Sequence, residues 1–334
     1  MHQQTKLDIL LKIKGISFRG FRGEIDYPGM VAILERSKEY DQIKQTNTLE
    51  DMQRYYSHLT NCDPFQDMLL AEAGGELIAY CRVFWEQQLE GDRVYFHFGT
   101  VLPEWRRKGI GSAMLRWCER RLRIIASDHP QDGERYLQTF GADTLIGKDK
   151  LALSEGYQPI RYEFEMARSL EGDLPQAPMP PGLEVRPVLD EHIRPIWDAS
   201  AEAFRDHWGY VVPTEENYQD WLEGRTFNPK LWKVAWDGDE VAGMVQNYID
   251  ERENEEYGRK RGYTENISVR RPWRRRGLAR ALIAESFYLL RDLGMEEAAL
   301  SVDTENLSGA LSLYESMGFE QVKRWTDYRK PLEE

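Results

Sequence analysis

Short alternating runs and longer amphipathic runs follow one another in the same order twice along the chain. In the first half, residues 16–19 read as a strand and 28–40 as a helix. A hairpin follows, residues 69–73 and 77–85 joined at Gly74-Gly75, and then a strand over 93–101. A helix over 112–125, a strand over 135–140, a helical run over 148–155 and a strand over 157–164 complete that half. The second half opens with alternation over 183–188 and a helix over 191–204, followed by a hairpin over 231–236 and 241–248 turning at 237–239. A strand at 263–269 leads to a helix with Leu278, Ala281, Leu282, Leu289 and Leu293 on one face and Gly294 as its C-cap. A buried strand over 298–302, a short helix over 308–317 closed by Gly318, and a strand over 319–325 finish it. Repetition at domain length predicts duplication of a whole α/β fold, each copy a mixed sheet flanked by helices.

Between the third strand and the long helix of each half lies a basic-glycine turn. It reads Arg106-Arg107-Lys108-Gly109-Ile110-Gly111 in one copy and Arg274-Arg275-Arg276-Gly277-Leu278-Ala279 in the other. A strand, a glycine-bearing turn and a helix start make an anion cradle, because the first N–H groups of a helix lack internal partners and carry partial positive charge. Residues 169–182 concentrate Pro175, Pro178, Pro180 and Pro181 with Gly172 and Gly182 and read as an extended linker. The expected division is therefore 1–168, linker 169–182, and 183–334.

The length of 334 residues suits two domains with separate cores. Acidic residues outnumber basic ones 57 to 44, for a formal net charge of -13, which argues against nucleic acid or an anionic membrane as the main partner and favours a cationic one. Cys62, Cys81 and Cys118 are widely spaced with no C-x-x-C pair, so no metal site is expected and the chain reads as reduced and cytoplasmic. The first 14 residues lack the basic start and apolar stretch of a signal peptide, and no run is long enough to span a membrane. Neither turn continues into the Gly-Lys-Ser/Thr of a nucleotide-binding P-loop.

The second turn is followed about thirty residues later by Asn306, and then by Leu313-Tyr314-Glu315-Ser316-Met317-Gly318-Phe319. With Ala310 this places Asn306, Ala310, Tyr314 and Gly318 at intervals of four, a spacing that stacks groups along one side of a helix. This order of motifs resembles the GNAT acyltransferase superfamily, once over about 13–166 and again over about 183–332. The tandem arrangement is similar to that of the mycothiol synthase group. The resemblance implies acetyl-CoA as cosubstrate and a small-molecule amine as acceptor. It implies that backbone groups near Ile267, Ser268 and Val269 hold the pantetheine and thioester carbonyl. Residues Arg274, Arg275, Arg276, Gly277, Leu278, Ala279 and Arg280 would hold the pyrophosphate, with Asn306 supporting the arm. The equivalent first-half set is Val101, Arg106, Arg107, Lys108, Gly109, Ile110, Gly111 and Ser112.

Tyr314 becomes the candidate acid for the departing thiolate and Glu265, nine residues before Arg274, the candidate base. His97 stands at the matching register of the first half. His207, Trp208 and Tyr210 follow the first helix of the second half, where relatives shape the acceptor pocket. The run Asp250, Glu251, Glu253, Glu255 and Glu256 could attract a cationic amine or be a solvated loop. The first half has Ala152 where the second has Tyr314, and Thr144 where it has Asn306, so catalysis is expected in the second domain. Alternative readings are a protein N-terminal acetyltransferase, favoured by an open peptide groove, or a non-catalytic acyl-CoA sensor that binds cofactor without thiol release. Oligomeric state is not legible.

Overall fold

A computed structural model describes residues 13–306 and 309–332, so the readings of the first twelve residues and of a helix start at Ser308 lie outside it. The chain divides into two compact units. Unit 1 is residues 1–160 with 326–334, and unit 2 is residues 161–325.

Unit 1 contains β1 (Ser17–Arg19), α1 (Tyr27–Asp41), α2 (Leu49–Ser57), α3 (Pro64–Asp67), β2 (Met68–Ala73), β3 (Glu76–Gln87), β4 (Arg93–Val101), α4 (Ile110–Ser127), β5 (Arg135–Ala142) and α5 (Ile146–Ser154). Strands β1 to β4 pair antiparallel in sequence order, and β4 pairs parallel with β5. The division of the chain falls within β6 (Gln158–Ser169). Unit 2 continues with β7 (Glu184–Arg186), α6 (Ile193–Phe204), α7 (Glu215–Leu222), β8 (Lys233–Asp237), β9 (Glu240–Tyr248), α8 (Glu251–Tyr257), β10 (Arg261–Val269), α9 (Leu278–Asp292), β11 (Glu297–Asp303) and α10 (Ala310–Ser316). Strands β7 to β10 are antiparallel neighbours, β10 pairs parallel with β11, and β11 pairs antiparallel with β6. The last strand, β12 (Glu320–Pro331), is again divided: Trp325 bonds Glu165 within unit 2, whereas Asp327 bonds Gln138 and Leu332 bonds Arg135 within unit 1.

Two expectations change here. The strand expected to end the first domain near residue 164 runs to Ser169, and its Glu163–Ser169 stretch pairs with β11, so it belongs to unit 2. The proline-rich stretch is not a free linker. Leu170, Leu174 and Leu183 are buried in the unit 2 core, Tyr288 donates to the Leu174 carbonyl, and Arg276 donates to that of Pro181. Proline removes regular hydrogen bonding but leaves interspersed leucines able to bury.

Four short helices, α2, α3, α7 and α8, escape the sequence reading. Their starts carry caps that were readable: Thr48 accepts from Asp51 N–H, Thr214 forms a capping box with Asn217, and Asp250 accepts from Glu253 N–H. The acidic run after Asp250 is therefore helix α8 rather than a loop. Asp250 pairs with Arg225, and Glu253 receives Arg259 and the Tyr263 hydroxyl.

Candidate active site

Both basic-glycine turns adopt one backbone shape. Arg107 and Arg275 have φ of 62° and 59°, and the N-cap glycines Gly109 and Gly277 have φ of 86° in both cases. Left-handed residues alternating with right-handed ones turn successive N–H groups toward one point, which is an anion nest. Gly109 and Gly277 cap α4 and α9 with no side-chain bond, leaving the helix-start amides open.

The side chain of the first arginine of each turn is tied to the end of the strand before it. Arg274 Nε donates to the Val269 carbonyl at 2.9 Å, and its other nitrogens reach Asp206 and the Ala203 carbonyl. Arg106 repeats this, with Nε on the Val101 carbonyl at 2.8 Å and Nη2 on Asp41. Both guanidinium groups are spent in fixing the strand end. Arg275, Arg276, Arg107 and Lys108 are exposed, Arg280 donates to Ser316, and the side chains of Leu278 and Ile110 are buried. Ser112 lies in the first turn of α4 and Ala279 in that of α9. Asn306 lies in a turn before α10 rather than on it, so the four-residue spacing is not one helix face.

The copies diverge one strand earlier. In unit 2 the β9–β10 register slips between Glu265 and Ser268, where Asn266 takes φ 48°. This is a β-bulge, an extra residue that shifts the pleat. Asn266 is tied to Gln246 at 2.8 Å, and the buried Ser268 hydroxyl has no partner. Ile267 and Val269 pack against the core. The parallel β10–β11 ladder covers only Arg261–Tyr263 with Glu297–Ala299, so the strands part just below the bulge. Open amides, an orphaned hydroxyl and a helix-start nest fit a thioester-bearing, diphosphate-bearing cosubstrate.

Alternation then sorts the faces. Ala298, Leu300 and Val302 join the core under α9, so Ala299, Ser301 and Asp303 face the other way. The registers Gln246–Glu265 and Ser301–Glu165 lay Glu265, Ser301 and Glu165 in one transverse row, with Asp303 and Glu163 in the next. Ser301 N–H donates to Glu265 Oε1 at 3.0 Å, two residues beyond the last ladder pair. Burial, followed by the Glu163 carboxylate and then that of Glu165, raises Glu265 to about 8 against the opposing Ser301 bond. Tyr314, 6% exposed and packed on Phe319, has its phenol pushed up by burial and then by Glu265. Arg168 of β6 donates to the Met317 carbonyl, bracing the end of α10.

His207, Trp208 and Tyr210 separate. Arg161 covers Trp208 at 5.0 Å while pairing with Asp303 at 2.7 Å. His207 packs on Phe204, and burial lowers its proton affinity. Tyr210 instead lines an open cleft of about 170 Å³ with Trp197, Ser200, Ala201, Phe204, Val211 and Pro213.

Unit 1 has no bulge in the matching strand pair, its register slip falling instead between β2 and β3 at Ala71/Glu72. The β3–β4 register runs unbroken from Ala79–Val101 to Gln87–Arg93. His97, offered as the counterpart of Glu265, consequently points to the α4 side of its sheet. Its Nε2 lies 2.8 Å from the Tyr157 hydroxyl, which donates to Glu119 of α4, and burial with Lys148 and Lys330 lowers it to about 3. One residue of register turns a side chain to the opposite face.

With this geometry in place, the chain can be set beside known proteins. The model of the acetyltransferase (GNAT) family matches residues 30–125 and 193–319. The chain belongs to the GNAT family. It is thus an acyltransferase of tandem GNAT architecture, a family that generally uses acetyl-CoA. It is 27% identical over 256 residues to a mycothiol acetyltransferase of Catenulispora acidiphila, covering 75% of this chain and 76% of that one. A mycothiol acetyltransferase of Thermobifida fusca is 30% identical over 238 residues, covering 66% and 70%. A GCN5-related N-acetyltransferase structure from Sphaerobacter thermophilus superposes with TM-score 0.72 at 25% identity over 96% of this chain and 97% of that one. A tandem GNAT protein from the clavulanic acid pathway shares the fold at TM-score 0.64 and 14% identity, over 96% and 99%.

Among the described residues no helix is long and apolar enough to cross a membrane. Glu163, Glu165 and the bulge are the site features that sequence reasoning missed. The carboxylates were hidden because their strand was assigned to the other half, and an Asn inside a strand is only a weak sign of a left-handed residue.

Proposed function

We propose that unit 2 transfers an acetyl group from acetyl-CoA to a primary amine by direct attack, and that unit 1 does not turn over. The observation that carries this reading is the Asn266 bulge, which sets Glu265 on the face opposite α9 and opens the edge beside it. The names of the mycothiol acetyltransferase relatives support acetyl as the group moved and a small molecule as the acceptor.

Acetyl-CoA supplies an activated thioester. The Arg275–Gly277 nest and the first amides of α9 would hold its diphosphate, and the open amides around Ser268 its arm. Glu265 receives the proton of the attacking amine as the N–C bond forms. Tyr314, kept protonated by its buried setting, donates to the sulfur as the C–S bond breaks. Return of the proton from Glu265 to Tyr314, directly or through solvent, resets both groups. Glu163 and Glu165 favour an acceptor that arrives as an ammonium; its first proton leaves to solvent before attack, so that Glu265, ionised again, is free to take the second as the N–C bond forms.

Thiol release from acetyl-CoA across a panel of small amines, with mass spectrometry of the N-acetylated product, tests the reading. Tyr314→Phe and Glu265→Gln should each lose turnover. Full activity of both variants, or acetylation of peptide N-termini in preference to small amines, overturns it.

A further inference from the structure

The unit 1 face that corresponds to the carboxylate face of unit 2 carries a buried cation, Arg82, with Glu86 four residues further along the same face of the strand. On β3 the residues alternate, so Tyr80, Arg82 and Phe84 share a face with Phe96 and Phe98 of β4, their ladder neighbours. Arg82 is only 2% exposed. The rings of Tyr55, Phe98, Tyr56 and Phe84 surround its guanidinium carbon at 4.8, 4.9, 5.3 and 5.6 Å. One nitrogen, Nη2, donates to the Tyr55 hydroxyl. Nε and Nη1 are buried without an acceptor, and so is the Tyr56 hydroxyl, whose residue is 8% exposed.

A guanidinium cannot shed its proton, so burial cannot neutralise it as it would a lysine or a carboxylate. Ring faces offset part of the desolvation through cation–π attraction, yet they give the in-plane N–H groups no lone pair. Buried Arg19 of the same unit, by contrast, holds Asp26 at 2.7 Å and Glu72 at 2.7 Å. Arg82 is in no salt bridge among the described residues, and its two orphaned donors point to an acceptor that comes from outside the chain.

We propose that Arg82 and the Tyr56 hydroxyl anchor a binding site in unit 1 for the carboxylate of a small ligand with an apolar body. The charge selects an anion, the planar N–H groups select carboxylate oxygens, and the four rings select apolar substance behind them. Tyr55, 44% exposed, is the most open of the four rings, and displacing its hydroxyl from Nη2 would free a third donor. The proposal is independent of which unit catalyses.

The test uses the full chain, with thermal unfolding and calorimetric titration against benzoate, acetate, inorganic phosphate and chloride at matched ionic strength. Benzoate should raise Tm saturably, acetate less, and phosphate no more than chloride. Arg82→Lys, which keeps the charge and loses the planar donors, should weaken benzoate at least about tenfold, and Tyr56→Phe a few-fold. If Arg82→Lys does not fold by circular dichroism, Tyr56→Phe with an intact spectrum decides. Benzoate and acetate acting no better than chloride would show a closed aromatic box holding the cation alone. Unchanged benzoate binding in the folded variants would place the anion elsewhere, and preference for phosphate would refute the carboxylate. Each of these results overturns the assignment.

Discussion

The two units share a turn to within a few degrees and differ by one residue in the strand before it. Arg107 and Arg275, and Gly109 and Gly277, have nearly identical φ, and Arg106 and Arg274 make the same strand-end bond. Yet the residue nine positions before the turn is half-buried Glu265 opposite α9 in one copy and His97 locked under α4 in the other. Sequence spacing measures distance along a chain, whereas a bulge changes which side of a sheet that distance reaches. A cradle can therefore be inherited intact while the chemistry beside it is lost or gained by a single insertion.

Removing the difference should have the largest effect. Deleting Asn266 restores the unbroken register of unit 1, turning Glu265 toward α9; thiol release should become undetectable while circular dichroism stays native-like. Retained turnover would sever the link between bulge and base.

Glu265→Gln removes the proposed base without moving the strand. We expect kcat/KM to fall by about 10²–10⁴, the usual worth of a positioned acid–base group. In the unaltered protein kcat/KM should climb as pH rises toward about 8, because Glu265 must ionise to act, and the variant should lose that limb. The same shift predicts a stability signature. A carboxyl held above its ordinary value contributes most below that value, and the contribution is lost as pH rises through about 8. Glu265→Gln should accordingly raise Tm relative to the parent at pH 9 and not at pH 5, as read by calorimetry.

Tyr314→Phe keeps the ring and its packing on Phe319 and deletes only the hydroxyl, so a loss of about 10²-fold in kcat with an unshifted Tm is expected. An equal loss of stability would recast Tyr314 as a core residue.

Leu170→Ala probes the proline-rich stretch. Its side chain is 1% exposed in the unit 2 core, so denaturant unfolding should report a cost of about 2–5 kcal/mol, where a free linker would report none. Smallest of all should be His97→Gln, which leaves turnover within about twofold because the ring is bound to Tyr157 on the far face.

Much of the fold could be read from the chain because its periods are local. Hairpins at Gly74-Gly75 and Asp237-Gly238, the strand at 93–101 and both long helices follow from alternation, turn glycines and apolar faces. Tyr314 and Glu265 could be singled out as candidates because they sit at fixed distances from a recognisable turn. Arg82 drew no notice, since an arginine in a strand looks like any exposed cation until four rings close over it.

The order of residues by itself determined the duplication, the two glycine-capped helix starts and the tyrosine present in one copy only, all consequences of short-range geometry. Tertiary structure decided the rest. It assigned Glu163–Ser169 and the proline-rich stretch to unit 2, turned His97 and Glu265 to opposite faces, and gathered Glu163 and Glu165 beside Glu265. Those outcomes depend on which strands pair and in what register; for β6 the partner strand lies more than a hundred residues away, and for Glu265 a single bulged residue against β9 sets the face, neither of which a local pattern encodes.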